Sequence, residues 1–236
     1  MKKIPVIILV VLGLVFSAYA EAAKPKRRSR NANRVGPYAG ALLSWSSYSG
    51  DQSDAEDSLA SSFDGLPTTN LTTGTKDSDI GYQAAFGYRF NRYVAAEFEL
   101  VQFGELSSHA SADVDLLDGN GPVPVTLRYN FHVGGPQLSA LGILPVNDKF
   151  EFFAKAGVLF ASSEREFTSR VDGQSGGVGS AKGDSTEVVL GVGFAWHINQ
   201  MYSVRAQYER LSDVGDPDKS GTEDLNAASL GLIVRF

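Results

Sequence analysis

The sequence predicts an all-β protein in which eight antiparallel strands close into an up-and-down barrel. Two observations lead to this prediction. From residue 38 onward, apolar and polar residues alternate with a period of two, which is typical of strands and not of helices. The connections between the alternating segments are long and short in turn, as in a barrel with tight turns at one end and loops at the other.

The strands follow from the alternation itself. In Tyr202–Glu209, every second residue is apolar or aromatic and the intervening ones are polar. Within Thr126–Leu144 the pattern slips by one residue at Gly134–Gly135, which predicts a glycine β-bulge, and Ile233 interrupts the last strand. The predicted strands are Tyr38–Ser47, Ile80–Phe90, Val94–Leu100, Thr126–Leu144, Phe150–Phe160, Glu187–Ile198, Tyr202–Glu209 and Ser229–Phe236.

The connections fall into two classes. Short turns are predicted at residues 91–92, 145–149 and 199–201. Long loops, rich in Gly, Ser, Asp and Thr, are predicted at residues 48–78, 104–124, 163–184 and 212–224. Strands of about 9–12 residues are long enough to cross a bilayer when they are tilted by about 45°.

The apolar faces decide between a membrane barrel and a soluble barrel of lipocalin type. Aromatic residues lie at the strand ends, as in interfacial girdles: Tyr88, Phe90, Phe150, Phe160, Trp196, Tyr202 and Tyr208. The opposite faces carry charges of both signs that can pair inside a narrow barrel. These predicted interior charges are Arg89, Glu97, Glu99, Arg128, Glu151, Lys155, Glu187, Arg205, Glu209 and Arg235. The prediction is therefore an eight-stranded antiparallel transmembrane β-barrel.

The N-terminal region predicts export. Lys2 and Lys3 precede the apolar run Ile4–Phe16, and small residues follow at Ala18 and Ala20. A run of this length spans only about 20 Å as a helix, so it predicts a signal peptide over residues 1–20 and not a membrane anchor. Residues 21–35 read as a basic, solvated tail, and residues 36–236 as the barrel domain.

Four segments carry a resemblance to a known family. The ending Ala228–Phe236 resembles the assembly signal of outer-membrane barrels, with Leu230, Leu232, Val234 and Phe236 as its alternating residues. Gly87–Glu99, Leu144–Gly157 and Ala206–Arg210 are similar to the second hairpin, the fifth strand and the seventh strand of OmpA-like transmembrane domains. The resemblance implies a porin-family protein of the Gram-negative outer membrane, with both termini periplasmic and the long loops extracellular.

The resemblance also suggests partners. It implies the barrel assembly machinery and outer-membrane lipids, and a monomer without the family's peptidoglycan-binding domain, because the chain stops at strand eight. The loops are acidic and the tail is basic, so contact with lipopolysaccharide requires bridging divalent cations, and nucleic acid is not an expected partner. Asp51–Asp57 and Asp113–Gly121 contain oxygens for weak calcium binding but lack EF-hand spacing, so no metal site is predicted.

Catalysis is not predicted, and neither is a cofactor. His109 lies among Ser107, Ser108 and Ser111, which leaves a lipid-modifying hydrolase as the least favoured function. His132 and His197 fall on the inward parity, and Gly173–Gly179 reads as a loop tip because no helix follows it. The favoured function is structural, with loop-mediated surface contacts and an interior closed by the charged network. A narrow channel for ions or small solutes is the alternative.

Overall fold

The computed structural model describes residues 34–48, 61, 65, 67–76, 78–115, 121–214 and 223–236. Ten antiparallel strands make up the fold: β1 Gly36–Tyr48, β2 Thr68–Lys76, β3 Ser78–Arg89, β4 Val94–Gln102, β5 Leu106–Val114, β6 Val123–Pro145, β7 Phe150–Val171, β8 Gln174–His197, β9 Tyr202–Val214 and β10 Glu223–Arg235. Within these ranges, no helix has the length and apolar character needed to span a membrane.

Eight of the strands form a closed ring. The order is β1-β3-β4-β6-β7-β8-β9-β10, and β10 pairs back with β1 through a register that runs from Tyr38–Arg235 to Tyr48–Leu225. Closure satisfies the backbone groups of every strand inside the ring, which a membrane-spanning sheet requires. The predicted eight-stranded antiparallel barrel is confirmed.

The remaining two strands extend the barrel beyond one end. β5 pairs with the outer part of β6, and β2 pairs with β5. Together with the outer parts of β6, β7 and β8, they form a five-stranded wall that continues past the ring. We call this wall the strand extension.

The strand extension corrects three predicted loops. The predicted loop 163–184 is a β-hairpin in which β7 and β8 pair as far as Val171 and Gln174, so Gly173–Gly179 is mostly strand and not a loop tip. Its turn is Asp172-Gly173, with both residues at positive φ (49° and 74°). β2 and β5 likewise lie within the predicted loops 48–78 and 104–124. Gly- and Ser-rich composition misled the prediction because these strands present small polar residues to solvent and not to lipid.

The predicted glycine bulge at Gly134–Gly135 is wrong, and the extra residue lies on the neighbouring strand segment instead. β6 keeps one register with β7 on both sides of Gly134–Gly135. The pairing partner of β6 shifts by one residue between Gln102, which faces Gly134, and Leu106, which faces Phe131. The extra residue therefore belongs to the segment 103–105 between β4 and β5. Gly104 allows this bulge because a Cβ there would lie 2.5 Å from the carbonyl carbon of Asp79.

Three tight turns close the other end of the barrel, and each uses an asparagine in the same way. The Oδ1 of Asn91 accepts hydrogen bonds from the backbone N–H groups of Tyr93 (2.7 Å) and Val94 (3.0 Å). Asn147 makes the same pair of bonds to Lys149 and Phe150, as does Asn199 to Met201 and Tyr202. Each side chain thus supplies the acceptors that a two- to three-residue turn cannot supply from its own backbone.

An apolar belt surrounds the ring. Outward-facing side chains on all eight strands are apolar and many are largely exposed, for example Leu43, Trp45, Ile80, Leu144 and Val188. On β7 the belt runs from Phe150 to Phe160, ten residue steps that correspond to about 23 Å at a tilt of about 45°. This height agrees with the apolar band of about 25 Å on outer-membrane barrels.

Above the belt the polarity of the two faces inverts. Along β6 the odd-numbered residues face inward throughout, yet the inward residues change from Gln137 and Ser139 to Val133 and Phe131. The outward residues change in the opposite sense, from Leu138 to His132 and Asn130. The strand extension is therefore built like a soluble barrel, with an apolar inner face and a polar outer face, as is expected where water replaces lipid.

Candidate functional site

The interior of the ring is filled by layers of polar side chains below a layer of apolar ones. Of the ten predicted interior charges, eight lie inside the barrel and form ion pairs there: Arg89, Glu97, Glu99, Glu151, Lys155, Arg205, Glu209 and Arg235. Four are basic and four are acidic. They separate into three layers along the barrel axis.

The middle layer is centred on Lys155, whose side chain is 0% exposed. Its Nζ forms an ion pair with Glu99 and lies 2.7 Å from Oε1 of Glu209. Gln137 donates from Nε2 to Glu99 (2.7 Å) and to Glu209 (3.2 Å). Gln83 and Gln207 each donate to Oε2 of Glu209 at 3.0 Å. One ammonium thus serves two fully buried carboxylates, and amide donors complete their coordination.

The next layer towards the tight turns is an ion pair between one arginine and one glutamate, and aromatic rings contact it. Arg205 Nη1 donates to Oε1 of Glu97 at 2.6 Å, and the Tyr38 hydroxyl donates to the same oxygen at 2.5 Å. The guanidinium also lies 4.9 Å from the ring centroid of Phe153. Gly87 makes room for the Tyr38 ring, because a Cβ there would lie 2.2 Å from the Tyr38 Cζ.

The third layer lies at the tight-turn end and surrounds one carboxylate. Arg89 Nη1 donates to both oxygens of Glu151 (3.0 and 2.9 Å). Arg235 approaches Glu151 at 3.5 Å, and His197 Nε2 lies 3.2 Å from its other oxygen. Ser203 Oγ lies 2.8 Å from His197 Nδ1.

An apolar layer lies inside the barrel above the polar ones. We call it the apolar plug. Phe131, Leu159, Leu211 and Leu225 are each 0% exposed within it, and Phe103 enters from the bulge. Its remaining members are Val101, Leu106, Val133, Ala161, Val189 and Ala227. A water or ion would have to lose part of its hydration shell to pass between these apolar side chains.

Two of the predicted interior charges lie elsewhere. Arg128 is exposed on the outer face of the strand extension, so its prediction as an interior residue is wrong. Glu187 has the inward parity of β8, but it is only partly buried and lies opposite Leu159, at the level of the apolar plug. His132 also faces outward, 3.1 Å from Glu105, whereas His197 is buried inside. The inversion of polarity above the belt explains Arg128 and His132.

The proposed serine–histidine arrangement does not form. Ser107 Oγ donates to Asn130, Ser108 Oγ lies 3.1 Å from Thr75 Oγ1, and Ser111 Oγ lies 3.1 Å from Thr126 Oγ1. His109 is exposed on the outer face and stacks over Gly74 on β2. The described residues contain no group of three or more His, Asp or Glu side chains placed to hold a metal ion. Residues 51–57 and 116–120 of the two acidic segments lie outside the described part of the chain.

The comparisons with known proteins agree with this architecture. A family model described as the OmpA-like transmembrane domain matches residues 32–236. The chain belongs to this family. Its members include outer-membrane proteins, so this chain is an outer-membrane β-barrel of the OmpA-like type.

The relatives are distant. Outer membrane protein A of Klebsiella pneumoniae is 26% identical over 203 residues, which cover 84% of this chain and 50% of that protein. Outer membrane protein A of Escherichia fergusonii is 26% identical over 239 residues and is covered to 56%. The chain spans about half the length of the curated relatives it matches. Among solved structures, Ail of Yersinia pestis (14% identity, TM-score 0.42) covers 86% of this chain and 99% of its own. OprG of Pseudomonas aeruginosa (16% identity, TM-score 0.42) covers 86% and 96%.

Sequence reasoning missed part of the OmpA-like interior. Gln83, Gln137 and Gln207 complete the middle layer, and Tyr38 completes the next one. The alternation contains the signal for these residues. Gln83 and Gln207 lie on the same face of their strands as the predicted interior charges, and so does Gln137 if no slip is assumed at Gly134–Gly135. The predicted interior set contains charged residues alone, although a buried carboxylate needs neutral donors as well.

The predicted assembly signal lies on the last strand of the ring. Leu230 and Leu232 face outward in the belt, and Val234 shares their parity but is 5% exposed. Phe236 follows β10, and its N–H donates to the carbonyl of Pro37 at 3.2 Å. The terminal residue therefore lies beside the first strand, at the point where the ring closes.

Proposed function

We propose that this OmpA-like barrel has a structural role in the outer membrane and that its interior is closed to solutes. The observation that carries this proposal is the apolar plug. The polar layers alone leave buried acceptors without partners among the described residues, including Glu99 Oε1 and Gln137 Oε1, and such groups are compatible with a hydrated path. The apolar plug interrupts any such path with side chains that are 0% exposed.

Conductance in planar lipid bilayers tests this proposal. The refolded protein is expected to give no stable current steps above the lipid background. Steps in the wild type would overturn the closed interior and favour the narrow channel. Phe131→Ala is expected to give current steps that the wild type lacks, because it removes one of the two phenylalanine side chains of the apolar plug. The matched control is Phe98→Ala, which removes the same side chain from the lipid-facing surface.

We further propose that the tight turns face the periplasm and that the strand extension faces the outside of the cell. The polar outer face of the strand extension supports this orientation, because it is built to lie in water beyond the membrane, whereas the tight turns barely leave the belt. The basic tail of residues 21–35 would then lie in the periplasm, with the C-terminus.

The chain contains no cysteine, so single cysteines can test the orientation. Ser180→Cys lies on the exposed part of β8 in the strand extension, and Asp148→Cys lies in a tight turn. A membrane-impermeant maleimide added to intact cells is expected to label position 180 and not position 148. Both are expected to react after the envelope is opened. Labelling of position 148 alone in intact cells would reverse the orientation.

For partners, we propose lipopolysaccharide bridged by divalent cations and the barrel assembly machinery, with the barrel acting as a monomer. Outward carboxylates lie just above the belt. Among them are Glu105, beside His132, and Glu164, which is paired with Lys182. Phosphates at that height would meet both signs of charge. Thermal unfolding with lipopolysaccharide is expected to shift to lower temperature when a chelator removes divalent cations. No shift would count against cation bridging.

We propose no enzymatic activity. The hydroxyl groups around His109 are engaged with Asn130, Thr75 and Thr126, so no serine is presented to the imidazole as a nucleophile. The lipid profile of cells that express the wild-type protein is expected to match that of cells that express His109→Ala. A difference between the two profiles would reopen the enzymatic hypothesis.

A further inference from the structure

Positive charge is in excess at the tight-turn end of the barrel. Arg89, which is buried, and Arg235, whose side chain is 13% exposed, share the buried carboxylate of Glu151. Arg34, which precedes β1, lies close enough to Glu151 and Arg89 to interact with both electrostatically. Asp148 adds a negative charge near Arg34, but it lies in an exposed turn where water screens it. The buried part of this layer is therefore short of negative charge.

Arg89 and Arg235 differ in how well acceptors satisfy their guanidinium donors. All three nitrogens of the Arg89 guanidinium are used, two of them by the backbone oxygens of Asn91 (3.1 Å) and Arg92 (2.7 Å). Arg235 reaches Glu151 only at 3.5 Å, and its Nη1 contacts Ser203 Oγ at 3.1 Å. Its Nε is buried and has no hydrogen-bond partner among the residues that the structure describes. A buried arginine N–H group that lacks an acceptor destabilises the folded protein, so this group would be stabilised by binding an acceptor.

Other arginines lie near Arg235. The positive charges of Arg34, Arg89 and Arg205 each act on Arg235, so all three repel it. The Nε of Arg205 is also buried without a partner among the described residues. Arg34 is only partly buried, and its Nη2 donates to the backbone oxygen of Asp148, which lies in an exposed tight turn.

We propose that the tight-turn mouth of the barrel binds a phosphate-type oxyanion between Arg34 and Arg235. Guanidinium groups bind phosphate and carboxylate oxygens through short, charge-assisted and often bidentate hydrogen bonds. An anion there relieves the repulsion among the arginines and supplies the acceptor that Arg235 lacks. The source is either free phosphate or the headgroup of a phospholipid at the rim, because both present the same oxygens.

The test follows the arginine Nε–H signals of the full chain by NMR in detergent, with inorganic phosphate titrated at constant ionic strength. The Arg235 signal is expected to shift and to saturate. Arg34→Gln is expected to weaken the apparent affinity by about tenfold, since it removes one charge-assisted contact. Arg34 lies outside the strands, so heat-modifiable migration is expected to stay unchanged. The matched control is Arg210→Gln, an exposed arginine paired with Asp224 near the opposite end, and it is expected to leave the titration unaltered.

A second arm identifies the source of the oxyanion. The same signal is recorded in vesicles of phosphatidylglycerol without inorganic phosphate. A signal already at its saturated position, which added phosphate does not move, assigns the site to the headgroup; a signal that still moves assigns it to free phosphate. The proposal is overturned if Arg235 does not respond in either setting, or if chloride at equal ionic strength produces the same shift, or if Arg34→Gln titrates like the wild type.

Discussion

Removal of the Lys155 ammonium tests the middle layer most directly. Lys155→Met keeps the length of the side chain but leaves Glu99 and Glu209 buried without their cation. The attraction between Lys155 and Glu209 at 2.7 Å amounts to about 6 kcal/mol at an effective dielectric constant of about 20. The cost of burying the ammonium offsets part of this attraction. We therefore expect the free energy of unfolding to fall by about 3–5 kcal/mol, as for other buried pairs that lose one partner.

The assay is urea unfolding in lipid vesicles, followed by tryptophan fluorescence. Trp45 and Trp196 both face the belt, so their emission reports the loss of lipid contact. Lys182→Met is the matched control, because it removes a lysine from a pair with Glu164 whose side chains are 68% and 39% exposed. Such surface pairs contribute about 0–1 kcal/mol.

A second substitution checks the reasoning. In the Lys155→Met background, Glu99→Gln is expected to restore more stability than Glu209→Gln. Glu209 still accepts hydrogen bonds from Gln83, Gln137 and Gln207, whereas Glu99 keeps Gln137 alone among the side chains that the structure describes. If Lys155→Met costs no more than Lys182→Met, or if neither second substitution recovers stability, the middle layer does not stabilise the fold electrostatically.

Three further predictions use the same unfolding assay. Asn147→Ala removes two hydrogen bonds to the turn and is expected to cost about 1 kcal/mol, whereas Asp148→Ala next to it is expected to cost less; equal costs would contradict the role of the asparagine. Gly104→Ala places a Cβ 2.5 Å from Asp79 and is expected to cost about 1–3 kcal/mol, while Gly142→Ala, with open space around it, is expected to be tolerated. Asp79 lies just beyond the belt. Burial acts to raise the pKa of its carboxyl group, but hydrogen bonds from Lys76 and from the backbone of Ile80 and Glu105 have the larger effect. They hold this pKa below its usual range. Its contribution is thus present at neutral pH and is lost as the pH falls below about 4, and Asp79→Asn is expected to remove that part of the acid dependence; an unchanged acid profile would refute it.

The tight turns show how local sequence can specify structure. Asn91, Asn147 and Asn199 stand at equivalent places in three short connections, and each bonds the same two N–H groups. This arrangement depends only on neighbouring residues, so an asparagine repeated three residues before a strand is a signal that the sequence itself contains. The bulge at residues 103–105 could not, because its position is defined by the register of a different strand.

Sequence alone determined the number of strands in the ring, the closure into a barrel and the lipid-facing surface, because a period of two assigns every residue within a strand to one of two faces. It also identified eight of the charges that lie inside. Tertiary structure decided where the membrane surface ends along each strand. For that reason Arg128 and His132 were wrongly predicted to face inward. Beyond the belt water replaces lipid, so the same alternation places polar residues outside and apolar residues inside. Tertiary structure also decided which charges meet, because Lys155 and Glu209 lie on two strands that β8 separates, and they meet across Gly191, which has no side chain to keep them apart.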